Sequence, residues 1–353
     1  MKMATLALMT PLALACGSDD GGTTGGFDDQ AVIVDFADEV VVPTYGLLAA
    51  RAVALKTTVD ALAATPTEGA LDAARDAWIA ARAPWEQSEG FLFGPVDSFG
   101  IDPALDTWPL NRTDLDGVLG SGDALTPAYV SNLDPSLKGF HTMEYLLFGV
   151  DGDKLATSFD ARQLAYLGAI AADFVTLTDR LAKSWTTGEG GLAAYRDLFA
   201  TAGEPGNQSY PSLASAAQEI VTGMIGICDE VANGKIADPY DARDPLLEES
   251  QFSHNSLTDF QDNLRSVENA YNGSVPAAGT NGRGLTVWVA AQDAALDADI
   301  QAQIDAAIVA IGEIPEPFSE AILDETAHPK IEAAQQAISR LQGTLESRLL
   351  PIL

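Results

Sequence analysis

Cysteine is almost missing from this chain: Cys16 and Cys228 are the only two among 353 residues. If Cys16 is consumed by modification, no intrachain disulfide is available, and stability has to come from packing. Histidine is nearly as scarce, with His141, His254 and His328 the whole inventory, so a centre built from several imidazoles has little material. Basic residues are few, 19 against 51 acids, and the resulting charge of -32 excludes nucleic-acid binding and charge-driven attachment to anionic lipid. Such a charge suits a cationic ligand, and equally suits a solvated acidic surface in a salty medium. The sequence also lacks the Cys-x-x-Cys-His haem attachment signature, the His-Glu-x-x-His metalloprotease signature, a phosphate-binding glycine loop and a Gly-x-Ser-x-Gly nucleophile elbow.

What is present describes a soluble helical protein. Apolar residues make up 47% and charged ones 20%, with alanine abundant and β-branched runs short, which favours helix over sheet. The length exceeds one ordinary bundle, so two domains or half-domains about a shared interface are expected. Residues 1–15 carry one lysine and a short apolar run ending in Leu14-Ala15-Cys16, too short to cross a bilayer as a mature helix, and read as an export signal. Small residues before Cys16 and a Gly/Ser/Asp/Thr stretch after it match a bacterial lipoprotein signal. Cys16 is then the lipidated N-terminus, residues 16–27 form a flexible linker, and the protein resides in the cell envelope. Ala13 stands where the usual lipobox has leucine, so simple secretion is the alternative.

Helical spacing recurs from Val32 through Leu55, with Pro43 as an expected kink, and Thr65-Pro66-Thr67-Glu68 reads as a capping box opening the next helix. On that helix Trp78, Arg82, Glu86 and Glu89 share one face. Residues 93–134 are irregular and rich in Gly, Pro, Asp and Asn, a length of loop that usually serves function. The spacing then predicts a helix ending at Gly149 and capped by Asp134-Pro135, apolar on every side except for His141 and Glu144. Further helices are predicted over 159–185, 210–231, 253–271, 285–311 and 319–349. The reading is all-α, with two helical-bundle halves, 28–155 and 156–353, packed around a central site.

His141 and Glu144 are three apart on one helical face and would present a nitrogen and an oxygen to zinc or iron. A buried histidine hydrogen-bonded to a buried glutamate for structural reasons is the plain alternative. Glu86 and Glu89 add two hard oxygens, a set suited to iron or zinc rather than copper(I). Di-iron bundles carry Glu-x-x-His on two helices, whereas this chain has the reverse order once.

These residues carry a family resemblance. Gly139-Phe140-His141-Thr142-Met143-Glu144-Tyr145 resembles the Gly-x-His-x-x-Glu motif of the imelysin-like family, which is classed with metallopeptidases and includes iron-regulated proteins and the periplasmic component of Efe-type iron uptake. Trp85-Glu86-Gln87-Ser88-Glu89, Trp108-Pro109-Leu110, Asp229-Glu230-Val231 with Lys235-Ile236, and Ser253-His254 with Asp259-Phe260-Gln261-Asp262-Asn263 are similar to further family segments in the same order. The resemblance implies an all-helical fold of two halves and a metal site at His141 and Glu144 with Glu86 and Glu89 close by. It implies a lining of Trp78, Trp85, Trp108, Ser253, His254, Asp259 and Asn263. The function implied is that of a cell-envelope lipoprotein binding a metal ion, iron foremost and zinc second, in iron uptake, with an iron-uptake permease or a haem peroxidase as partner. The alternative is a zinc-dependent peptidase in which His254 supplies a third ligand and Glu89 polarises the metal-bound water.

Overall fold

A computed structural model describes residues 26–353, and every regular element among them is helical. The expected export signal and Cys16 lie outside the described residues. Phe27, the last residue of the expected linker, is already part of the fold: it is buried, its N–H donates to the Leu353 carbonyl at 2.9 Å, and its ring lies 5.0 Å from that of Trp288. No helix among the described residues is long and apolar enough to cross a membrane. Cys228 is buried and free.

The first rod runs through Gln30–Asp35 and a π-helical segment, Phe36–Val41, into α1 (Val42–Ala64). Pro43 was expected to kink or break it. Instead the proline sits in the first turn of α1, after the π segment has changed the hydrogen-bond register, so the missing N–H falls where no intrahelical bond is needed. Helix α2 (Glu68–Glu86) is capped by Thr67 rather than Thr65, with Thr67 Oγ1 accepting from the Ala70 N–H. Glu68 does not reach back; its carboxylate accepts from the Ala156 N–H at 3.0 Å, a tertiary contact that outcompetes the local box.

Helix α3 (Gly139–Phe148) begins later than Asp134-Pro135 suggested, because those two residues cap the separate 3-10 turn Pro135–Leu137. Gly139 holds φ at +72°, and a Cβ there would meet the Leu105 carbonyl oxygen at 2.2 Å, so only glycine fits the entry to the helix. Every residue of α3 is buried except the half-buried Tyr145, in agreement with its near-continuous apolar sequence.

Helix α4 (Ala161–Thr186) packs along α1, which also packs along α2, and α3 lies against α2 and α4. Although α4 follows the expected divide at 155, its packing places it with the first group of helices. The second group comprises α5 (Leu213–Glu230), α6 (Ser256–Asn272), α7 (Leu285–Gln292), α8 (Ala294–Gly312) and α9 (His328–Thr344), with α8 against α6, α7 and α9, and α5 against α6 and α9. The two groups meet where α6 crosses α2 and α5 crosses the turn Glu89–Phe91. Small residues permit the approach: a Cβ on Gly223 would meet the Gly90 carbonyl oxygen at 2.2 Å, and the Gly90 N–H donates to the Ser266 hydroxyl oxygen at 2.9 Å.

Candidate metal centre

The junction between the groups is filled with charge. The i, i+4 spacing of Trp78, Arg82 and Glu86 along α2 aims all three at α3 and α6, and the turn after the helix adds Glu89. Helix α3 supplies His141 and Glu144, and α6 supplies Asp259 and Asn263 by the same spacing. Three further groups come from outside the long helices: Asp106 at the end of the short helix Ile101–Asp106, Lys235 at the end of the π segment Val231–Lys235, and Glu249 just beyond the 3-10 turn Pro245–Leu247.

Arg82 is fully buried at the centre. Its guanidinium contacts the carboxylates of Glu86 and Asp106 closely, lies 3.2 Å from Glu249 and 3.5 Å from Asp259, and stands 4.8 Å over the Phe140 ring. Lys235, 1% exposed, places its ammonium 2.7 Å from Glu89, 3.0 Å from Glu249 and 3.5 Å from Glu86. The Asn263 amide donates to both Glu86 Oε2, at 2.6 Å, and Glu89 Oε2, at 2.9 Å. Asp259 accepts from Ser250 Oγ and from Asn255 Nδ2 at 2.7 Å.

His141 is held from both sides. Its Nδ1 lies 3.2 Å from Glu144 Oε2, and Nε2 lies 3.1 Å from Asp106 Oδ1, a close charge contact without hydrogen-bond alignment. Burial by itself would push the imidazole down; the Asp106 and Glu144 carboxylates outweigh it and raise the ring to about 9, so at neutral pH it is an imidazolium. Glu144 is itself saturated, its Oε1 accepting from the Phe252 N–H at 3.0 Å and from the Ser253 N–H and hydroxyl at 2.8 Å each.

Five carboxylates, Glu86, Glu89, Asp106, Glu249 and Asp259, thus face two fixed cations, Arg82 and Lys235, and one imidazolium. The shortage of positive charge shows in the acids. Burial and the neighbouring carboxylates push Glu86 and Glu89 well above the usual carboxylate range despite Arg82 and Lys235. Burial likewise raises Asp259 to about 6 against the pull of Arg82. Asp106 alone goes the other way: burial would raise it, but Arg82 and His141 hold it far below the usual range.

Two sets of donor atoms converge among the described residues, each with its atoms within 4.8 Å of one another: Asp106, His141 and Glu249, and Glu86, Glu89, Asp106 and Glu249. Of the expected ligands, His141, Glu86 and Glu89 belong to these sets. Glu144 stands behind His141, its oxygens taken by the imidazole, the backbone and Ser253, which places it as the group that orients the ring. Ser253 serves Glu144, while Asp259 and Asn263 hold Arg82 and the glutamates. Trp78 donates to the Phe140 carbonyl at 3.0 Å and Trp85 to Asp106 Oδ2 at 2.6 Å, so both wall the cluster. Trp108 is half-buried, its ring 6.5 Å from that of His141. His254 is exposed, with φ +59°, and belongs to neither donor set.

Asp106, Lys235 and Glu249 were not singled out from the sequence, and Arg82 only as part of a mixed stripe. Asp106 stands two residues before the family-like Trp108-Pro109-Leu110, and Lys235 lies inside a family-like segment, so each had a signal. Glu249 had none, sitting in an irregular stretch beside Glu248.

Comparison with known proteins follows the same lines. The imelysin peptidase family model matches residues 41–345. Iron-regulated protein A of Synechococcus elongatus is 34% identical over 331 residues, covering 94% of this chain and 88% of that protein. The crystal structure of an iron-regulated protein A precursor from Parabacteroides distasonis superposes with a TM-score of 0.82 at 31% identity, covering 90% of this chain and 93% of that one. An imelysin-like protein from Psychrobacter arcticum shares the fold, with a TM-score of 0.73 at 15% identity over 92% of this chain and 95% of its own.

Proposed function

Because this chain belongs to the imelysin family, we propose that it binds a hard metal ion, iron foremost, in the acidic cluster at the junction of its helix groups, and that it works in iron uptake at the bacterial cell envelope. The observation that carries the reading is the convergence of buried donors from Asp106, His141 and Glu249, with Glu86 and Glu89 beside them, in a region short of positive charge. A multivalent cation would supply the positive charge that the cluster lacks. The residues fit such an ion: Glu249 Oε2 is buried with neither a hydrogen bond nor an ion-pair partner, although buried polar atoms are ordinarily paired. Oxygen-rich ligation with one imidazole suits iron, manganese or zinc and disfavours copper(I). The name of the cyanobacterial relative, iron-regulated protein A, supports iron among these.

In this reading Asp106, His141 and Glu249 hold the ion, Glu86 and Glu89 add charge and further oxygens, and Glu144 aims the imidazole. The zinc-peptidase reading offered His254 as an example of a third ligand, and the exposed position of His254 outside the cluster does not support that choice. A lipid anchor at Cys16 and delivery to an iron-uptake permease or a haem peroxidase complete the proposal.

The test is anaerobic titration of the purified protein with Fe(II), followed by calorimetry and metal analysis, alongside His141→Ala and Asp106→Asn. Stoichiometric binding that weakens about tenfold or more in each variant is expected. A wild type that takes up no stoichiometric metal, or a His141→Ala protein that binds as well as wild type, would overturn it. Metabolic labelling with a clickable fatty acid, lost in Cys16→Ser, checks the anchor separately.

A further inference from the structure

The cage formed by Glu86, Glu89 and Glu249 already contains a cation. Lys235 Nζ is 2.7 Å from Glu89 Oε2, 3.0 Å from Glu249 Oε1 and 3.5 Å from Glu86 Oε2, in a side chain only 1% exposed. Metal–carboxylate bonds are about 2.0–2.2 Å long, so an ion shared by these glutamates would occupy the space that the ammonium fills. Two cations cannot share that centre, since their repulsion at such a separation is strong in a buried setting. Arg82 does not pose the same obstacle, because its planar fork is spread over Glu86, Asp106, Glu249 and Asp259 from the α2 side and is pinned against the Phe140 ring.

A second place for the ammonium is built beside the first. The Trp108 ring is 5.9 Å from Lys235 Nζ, within reach of a cation–π contact. Trp108 lines a cavity of about 560 Å3 together with Pro109, Gly234, Asp238 and Asp241, and Gly234 is the residue directly before Lys235. The two aspartates there offer a displaced ammonium the carboxylate partners that it would leave behind. Lys235 itself ends a π-helical segment, a local geometry common at functional sites.

We infer that Lys235 is an internal counter-ion that metal must displace, swinging from the Glu86/Glu89/Glu249 cage towards the Trp108 cavity, and that this exchange sets the affinity and valence selectivity of the site. The inference rests on the metal-binding reading above. Exchanging an ammonium for a monovalent ion leaves the charge of the cage unchanged, whereas a divalent ion gains one unit of charge and a trivalent ion two. The lysine therefore screens out monovalent cations while leaving the site open to iron in either common oxidation state.

Two measurements test the exchange, with Fe(II) under anaerobic conditions and Mn(II) as the redox-inert probe. In Lys235→Met, which keeps the length of the side chain without its charge, binding of either ion is expected to tighten about tenfold or more, and sodium or potassium to compete with it where they do not in wild type. In wild type, acetic anhydride footprinting read by mass spectrometry should find Lys235 protected without metal and labelled when Mn(II) is saturating. Wild-type binding with Lys235 equally protected in both states overturns the exchange while leaving the metal site standing, and so does a folded Lys235→Met protein that binds no more tightly. If Lys235→Met fails to fold, the wild-type footprint decides alone. Absence of binding in wild type removes both readings.

Discussion

Glu89 and Phe91 are two residues apart on one turn, yet they face regions of opposite character. On one side Phe91 meets Phe36 at 5.8 Å and Tyr45 at 5.9 Å in an aromatic cluster that continues through Phe93, Phe199 and Trp185, none of them charged. On the other side Glu89 enters a network of five carboxylates and three cations. The aromatic side gains stability from burial whatever the pH, since nothing in it titrates near neutrality. The ionic side has desolvation costs that its internal pairs only partly offset, and buried ion networks are weak evidence for stability. Groups that cost stability and still occupy the junction of two helix bundles point to ligand binding rather than to folding.

The largest way to break this contrast is Arg82→Met, which leaves Glu86, Asp106, Glu249 and Asp259 without their shared cation. Urea unfolding at pH 7 should show a loss of about 3–5 kcal/mol, shrinking as the pH falls and the acids take up protons. Phe91→Ala should cost about as much, roughly 3–5 kcal/mol, but equally at pH 5 and pH 8. Equal pH dependence in the two variants would erase the distinction.

His141 gives the next effect. Its folded pKa of about 9 lies above the ordinary value of 6.5, so its contribution is complete below pH 6.5 and disappears as the pH climbs through 9. The metal-free protein should lose about 3 kcal/mol of stability across that window, and His141→Gln should lack this slope. A wild-type profile matching that of His141→Gln would show that the imidazolium is not held as the geometry indicates.

Glu144→Gln changes little in shape and much in chemistry. The wild-type carboxylate accepts from Nδ1, which leaves Nε2 as the nitrogen able to bind metal once the ring is neutral. An amide donating to Nδ1 would move the proton to Nε2, and metal affinity by calorimetry should fall about 10–100-fold. Unchanged affinity would exclude the orienting role.

The smallest effect concerns Glu248, which is fully buried with neither carboxylate oxygen hydrogen-bonded. Burial, opposed by the Ser256 hydroxyl and aided by repulsion from Glu144 and Asp259, raises it to about 8, so the fold loses stability as the pH rises from the ordinary value of 4.5 to about 8 and loses no more above it. Glu248→Gln should be more stable than wild type by about 1–2 kcal/mol at pH 9, with the gain shrinking as the pH falls below 8 and absent at pH 4.5. Thermal melts at the two pH values check this, and an equal shift at both would point to packing rather than charge.

Much of this arrangement was legible in the chain. The apolar run around His141 and Glu144 required a buried helix with a paired glutamate, and α3 is that helix. The stripe of Trp78, Arg82, Glu86 and Glu89 announced a covered charged face, because tryptophan beside charge on one helical side makes little sense in water. Asp259 and Asn263, within a family-like segment, belonged to the same interface. Asp106 and Glu249 were hidden for a physical reason: each comes from an irregular connection, where no periodicity reports which way a side chain points. His254 was misleading in the opposite sense, being a metal-binding residue type within a family-like segment, yet turned to solvent by a left-handed backbone.

Sequence alone determined that the protein is all-helical and that a histidine and several glutamates must share its interior, since composition and helical periodicity act within a few turns of chain. Only the tertiary structure decided which of these acids converge, that α4 packs with the first helices rather than the second, and that Arg82 and Lys235 stand among the carboxylates. Many of those outcomes depend on contacts between residues more than a hundred positions apart, such as Arg82 with Glu249 and Lys235 with Glu89. Local propensity carries no information about them, and the balance of desolvation against pairing exists only once the helices have closed around the site.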